Sequence, residues 1–335
     1  SVSAALCYTK ALNLLLEPES KNKTNVGETT LVFWAQKVGA TSYDLEQTLG
    51  WFVQEPPKDD PNRGVAAVKG LYEALRTGTF PAGEQDRFYV LGLSPNAARI
   101  SVRFWRSGKA RDFAEKILKH FTDIQIAHGP NEKEHLPLNH FLKATVLDYK
   151  MENVPPNLPG AVLASILDGT PYPRSLLQQC VRRVRAERKV TRERAAILKA
   201  CLNRQQTYSN EKGVLSVSLD RSNPNVAYRL GRLFAVLEKA QEEANPGINS
   251  TIRDRYYGAA SSSPVTVFPQ LLKLKNHHMA KLENPGRKIN LEKEIGEIME
   301  GIAKLPRHLS LDEQAFFAIG YYHQRQDFFV PKNNK

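Results

Sequence analysis

Arginine supplies most of the chemistry this sequence could perform. Between positions 174 and 194, Arg174, Arg182, Arg183, Arg185, Arg188, Lys189, Arg192 and Arg194 are set against only Glu187 and Glu193. Guanidinium groups crowded in this way repel one another unless a polyanion offsets them, and each phosphate they contact releases a condensed counterion. A solvated helix face normally alternates sign, and this run does not, so nucleic-acid contact ranks ahead of simple solvation. A second basic group lies in RISVRFW, Arg99–Trp105. Strict period-2 alternation places Arg99, Ser101, Arg103 and Trp105 on one face and Ile100, Val102 and Phe104 on the other. Arginine beside an aromatic ring suits phosphate contact with base stacking. Equally, Trp105 could pack beneath a helix with the arginines paired to carboxylates. Arg229 and Arg232, three apart, share one helix face. Lys273, Lys275 and Lys281 form a basic edge beside the apolar positions Val267, Leu271 and Leu274.

Catalytic constellations are scarce by comparison. The sequence has no GxGxxG, GxxxxGK[ST], HExxH or GxSxG pattern, so dinucleotide, phosphate-loop, zinc-protease and nucleophile-elbow chemistries lack their signatures. His135 and His140 fall five apart in the proline-containing stretch HLPLNH, read as a solvated loop. The adjacent His277 and His278 would point about 100° apart on a helix and could not chelate together. One of them is expected at the edge of a bundle core. No cofactor or metal is implied. An enzyme reading would have to draw a nuclease from scattered ligands such as His135, His140 and Asp148.

The whole-chain numbers agree with the local ones. The 335 residues carry 47 Lys+Arg against 35 Asp+Glu, a net charge of +12, which attracts polyanions over long range. With 41% hydrophobic residues the chain can bury a core, and its length predicts two or three domains. Cys7, Cys180 and Cys201 are widely spaced and odd in number, so small buried hydrophobes in a reducing compartment are expected, not a disulfide framework or a zinc knuckle. There is no apolar run long enough to span a bilayer and no signal-peptide pattern. A cytoplasmic protein without membrane contact is the expectation.

The elements that must hold these residues read as an α+β chain: a mixed α/β N-terminal region, then a mainly α-helical C-terminal bundle. Residues 1–150 form the mixed region. A helix covers Ala4 to Leu15, a strand covers Glu28–Ala35, and a helix covers Val65–Thr77. Strands at Phe88–Leu93 and Arg99–Trp105 flank a turn, Phe113, Ile117 and Phe121 mark an amphipathic helix, and Asp123–Ala127 reads as a further strand. Prolines at 155, 156, 159, 171 and 173 mark a break. Residues 151–213 form a basic helical connector with helices near 174–187 and 191–206. Residues 214–335 form the bundle, with helices near 225–244, 264–283, 290–303 and 310–330, the last opened by a Ser310/Glu313 capping box.

Four stretches carry a family likeness: Glu28–Trp34 (ETTLVFW), Val90–Trp105 (VLGLSPNAARISVRFW), Asn223–Glu243 (NPNVAYRLGRLFAVLEKAQEE) and Gly320–Phe328 (GYYHQRQDF). In this order, over nearly the whole chain, they resemble the large subunit of the type I-C (Dvulg subtype) CRISPR Cascade complex. Members of that family are longer at the N-terminus, so the resemblance implies that some residues reading the protospacer-adjacent motif lie outside this chain. It also implies that 214–335 corresponds to a small-subunit-like helical domain. The implied role is non-catalytic: crRNA pairing reads the target while this subunit checks the flanking motif, stabilises the displaced strand of the R-loop and helps recruit the helicase–nuclease. The implied partners are crRNA-bound backbone subunits, small subunits, target DNA with its displaced non-target strand, and that helicase–nuclease. A scaffold whose basic surface meets crRNA and backbone subunits is the remaining alternative. On the displaced-strand reading, Arg174, Arg182, Arg183, Arg185, Arg188, Lys189 and Arg192, together with Arg229 and Arg232, track phosphates.

Overall fold

The computed structural model describes residues 2–36, 45–54, 58, 60, 62–77, 86–97, 99–209 and 215–330. The chain divides into two compact units, one made of residues 1–123 and 131–176 and the other of residues 124–130 and 177–335. The α+β class stands as read from the sequence: one antiparallel sheet in the N-terminal region and mainly helices in the C-terminal half. The expected 213/214 boundary lies outside the described residues. Among the described residues no helix is long and apolar enough to cross a membrane.

The first unit contains α1 (Val2–Leu16), β1 (Lys23–Val26), β2 (Thr29–Gln36), α2 (Leu45–Val53), α3 (Arg63–Arg76), β3 (Arg87–Asn96), β4 (Arg99–Lys109), α4 (Ala110–Asp123), α5 (Leu138–Ala144) and α6 (Leu158–Asp168). The strands pair antiparallel in the order β1-β2-β3-β4. Phe33, Phe88 and Val90 are fully buried, and the Phe88 ring lies 5.7 Å from Phe113 of α4. The apolar spacing of α4 turns Phe113, Ile117 and Phe121 into the core, as its sequence predicts.

The β3–β4 pair departs from strict alternation. Leu93 sits opposite Val102 while its neighbour Gly92 sits opposite Phe104. Arg103 is therefore the extra residue of a β-bulge. Gly92 is required there, because a Cβ at that position would lie 2.5 Å from the Phe104 ring. The expected face sharing is corrected accordingly. Val102 joins the face of Trp105, Phe104 alone is buried, and Ile100 and Val102 are about 60% exposed, at 62% and 63%.

Three further expectations are corrected. Residues 125–129 have no regular secondary structure and are not a strand of the sheet: the Ala127 N–H donates to the Val217 carbonyl at 2.8 Å within the second unit. His140 lies on α5, not in a loop. Pro159 does not break the chain but sits in the first turn of α6, where the missing N–H costs nothing.

The second unit is helical, comprising most of α7 (Arg174–Glu187) with α8 (Arg192–Tyr208), α9 (Val226–Ala244), α10 (Ile252–Ala260), α11 (Pro264–Lys281), α12 (Pro285–Glu300) and α13 (Leu311–Asp327). The Ser310/Glu313 capping box forms as read from the sequence, with both reciprocal hydrogen bonds in place. His277 is exposed and His278 half-buried, as expected of an edge position. Helices α9 and α13 are buried almost all round, from Ala315 to Gln324 in the second case. They touch backbone to backbone. A Cβ on Gly231 would fall 2.0 Å from the Phe317 carbonyl oxygen, and one on Gly320 would fall 2.1 Å from that of Tyr228.

Several polar groups caught in this core are paired. Fully buried Glu238 accepts from Tyr321 Oη at 2.5 Å and Thr251 Oγ1 at 2.6 Å. Tyr228 Oη and His323 Nδ1 lie 2.9 Å apart. Burial, reinforced by the positive charge of Lys199, depresses the His323 pKa to about 4, and burial pushes the Tyr228 phenol up to about 12.

Gly231→Ala and Gly320→Ala should each destabilise the protein by at least about 1–3 kcal/mol, the usual cost of overpacking, in urea denaturation. Because His323 is held neutral when folded yet takes a proton near 6.5 when unfolded, the stability it sustains is present above pH 6.5 and lost as pH falls toward 4. The full shift corresponds to roughly 3 kcal/mol. The difference in thermal stability between the native chain and His323→Gln should therefore vary with pH between 7 and 4, and a constant difference would contradict this assignment.

Candidate nucleic-acid interface

Helix α7 is built to show arginines. Leu176, Leu177, Cys180, Val181 and Val184 recur at helical spacing and are buried, which leaves Arg182 and Arg185 facing solvent. Not all of the expected cations are free for phosphate. Glu187 is ion-paired with Arg183 at 2.8 Å and with Arg194 at 2.6 Å. Arg194 is wholly buried and also donates to the Lys189 carbonyl at 3.0 Å. These two guanidiniums hold the α7–α8 corner. Arg174 and Arg192 are exposed and half-buried respectively, and each has protein partners.

What remains is a compact exposed set: Arg182, Arg185, Arg188 and Lys189. The Arg185 guanidinium reaches Gln314 Oε1 at 3.4 Å, a neutral contact that leaves its charge uncompensated. Arg188 ends α7 in the left-handed region, φ 55°, and the Lys189 N–H returns to the Val184 carbonyl at 3.3 Å. That is a Schellman ending, whose left-handed position is usually glycine. An arginine there holds strain of roughly 1 kcal/mol.

The other expected residues fall into three groups. Arg232 is corrected from a surface position to a core one. It is 2% exposed, and its guanidinium donates to Gln324 Oε1, the Arg221 carbonyl and Glu294. Burial lowers the Arg232 pKa, an effect Glu294 opposes. Burial would likewise raise the Glu294 carboxyl, but the Arg221 and Arg232 guanidiniums overrule it and hold it below the usual range. Half-buried Arg229 donates to the Asn223 carbonyl at 2.8 Å, so Arg229 and Arg232 do not form a shared surface track. Lys275 is paired with Glu292 at 3.0 Å, while Lys273 and Lys281 are exposed, the latter 3.3 Å from Asn245 Oδ1.

In the first unit, Arg99 is exposed. Trp105 stays 45% exposed and joins Trp34 and Tyr89, at ring distances of 5.5 and 5.8 Å. Arg103 leaves the Trp105 face because of the bulge and joins Arg106, which the sequence reading did not single out. Gly92 inside a strand was the signal that could have located the bulge. His135, His140 and Asp148 do not assemble. His135 packs edge-on against Phe121, and among the described residues no three His, Cys, Asp or Glu side chains gather to hold a metal ion.

Residues 1–329 match the model of a family described as CRISPR-associated protein (Cas_Csd1). No curated protein matches the chain.

Arg188→Gly separates the two roles of this helix end. Relief of backbone strain should leave thermal stability unchanged or raise it by up to about 1 kcal/mol. Loss of the charge should weaken single-stranded DNA binding, lowering the slope of log K against log salt by about 0.7. A destabilised variant with unaltered DNA affinity would contradict both halves.

Proposed function

The chain belongs to the Cas_Csd1 family of CRISPR-associated proteins, and from that membership we propose that it is a non-catalytic nucleic-acid-binding subunit of a type I-C interference complex. In this reading it supports target recognition, holds the displaced strand of the R-loop and offers a surface to the helicase–nuclease that cuts. The crRNA-bound backbone subunits and small subunits are its neighbours.

One observation carries the nucleic-acid part. Arg182, Arg185, Arg188 and Lys189 stand exposed on one helix end, while the nearby Glu187 is already neutralised by Arg183 and Arg194. Four cations without a compensating carboxylate among the described residues raise one another's energy, and a polyphosphate chain relieves that cost by exchanging counterions for fixed partners. Single strands are flexible enough to follow such a short curved edge and bind in a sequence-tolerant way. The helicase–nuclease assignment and the absence of catalysis rest on the family resemblance.

The test is charge reversal at the exposed set, sparing the buried pairs. Arg182→Glu, Arg185→Glu and Arg188→Glu combined should weaken binding of a single-stranded or opened target at least tenfold. The slope of log K against log salt should fall by about 2, since each lost phosphate contact removes about 0.7. Circular dichroism should show native helicity, because among the described residues none of the three is paired with a carboxylate. Unchanged affinity and slope would refute the reading. The same protein incubated with Mg2+ or Mn2+ and short DNA should leave the DNA intact.

A further inference from the structure

We infer that the first unit carries a separate phosphate-binding cleft between the β4 bulge and the start of α6, a deepening that rests on the nucleic-acid reading above. The cleft has a volume of about 350 Å3, and Thr29, Arg103, Arg106 and Gly160 are among its lining residues, over a floor made by Phe104. None of its lining residues is acidic.

The arginines in it are oriented by protein groups, yet keep free donors. Arg106 is clamped by Asp168, with Nε to Oδ1 at 2.6 Å and Nη2 to Oδ2 at 2.7 Å. Its guanidinium stacks 5.9 Å from the Phe104 ring centre. This fixes the wall of the cleft and cancels the charge of Asp168. Arg103, released by the bulge, makes one long contact to Ser94 Oγ at 3.4 Å, so its charge is uncompensated. Helix α6 begins without a side-chain cap from Asn157. Leu158 and Ala161 donate to the Pro155 and Asn157 carbonyls, Pro159 has no N–H, and the Gly160 N–H finds no backbone acceptor among the described residues.

Thr29 is the second, independent sign. It is 3% exposed, and its hydroxyl stands 3.6 Å from where a Gly160 Cβ would lie. It makes no side-chain hydrogen bond among the described residues. The hydroxyl borders the cleft, and an anion seated at Gly160 would accept from it. A free helix N–H, the positive end of the helix dipole, a hydroxyl and an unpaired guanidinium converge, which is the donor set a phosphate requires. The ligand class is a phosphate monoanion or diester, supplied by a nucleic-acid backbone or by a free phosphate compound.

The test uses the full chain and inorganic phosphate, followed by amide NMR. Phosphate should shift the Gly160 and Thr29 resonances, sulfate should compete, and Arg103→Gln should weaken the effect at least tenfold. A short DNA oligonucleotide that displaces phosphate from Gly160 identifies the backbone as the source. Phosphate binding that the oligonucleotide does not disturb identifies a free phosphate compound. No shift at Gly160 overturns the cleft, whatever the α7 charge reversals do to DNA affinity, and failure of those reversals leaves the phosphate shift at Gly160 to be read on its own.

Discussion

The second unit depends on how closely α9 and α13 approach. With carbonyl oxygens standing where any Cβ on Gly231 or Gly320 would go, these helices have no side chains between them at the crossing. The contact removes two backbones from water at a distance ordinary ridge-and-groove packing does not reach. Its consequence is that side chains flanking the crossing are forced into the interior whether apolar or not. Arg232, Glu238, His323 and Gln324 all lie at 2% exposure or less. A core with these groups is stable only if each finds a partner. Arg232 with Glu294 and Gln324, Glu238 with Tyr321 and Thr251, and His323 with Tyr228 supply those partners. The polar network follows from the close crossing, and not the reverse.

The same logic sorts the basic residues. A net charge of +12 looks like one property of the sequence, but the structure spends it in two ways. Arg194 and Arg232 sit in surroundings where an unpaired charge would cost several kcal/mol, so each is tied to a carboxylate. Arg182, Arg188 and Arg103 keep their charge at the surface with no carboxylate partner among the described residues. Exposed pairs contribute little to stability, so the fold loses almost nothing by leaving these cations unpaired. They are free to be selected for a ligand.

The α+β order, the α4 core face, the amphipathic face of α7 and the α13 capping box were legible because each is a local rule with a fixed period or offset. The division of arginines was not. Arg183 and Arg182 are adjacent and chemically identical in sequence. Only the return of α8 brings Arg194 to Glu187 and decides which of its neighbours is consumed. The Ile100, Val102, Phe104 alternation failed for a similar reason. A bulge adds one residue to one strand, and period-2 reasoning has no way to place it without the partner strand. Gly92 hinted at it, but the need for glycine arises from the Phe104 ring lying across the strand. Arg229 and Arg232 share a face as their spacing requires, but spacing does not say whether that face meets water or a neighbouring helix.

The two places where this chain accepts a local cost lie far apart in sequence. At Arg188 a left-handed position holds a long cationic side chain where glycine would relieve the backbone. At the start of α6, a helix opens without a side-chain cap. A sequence shaped for stability alone would have capped the helix and placed glycine after Glu187, because both changes are small and common. Local rules broken without a compensating contact inside the protein are compensated most simply by one outside it.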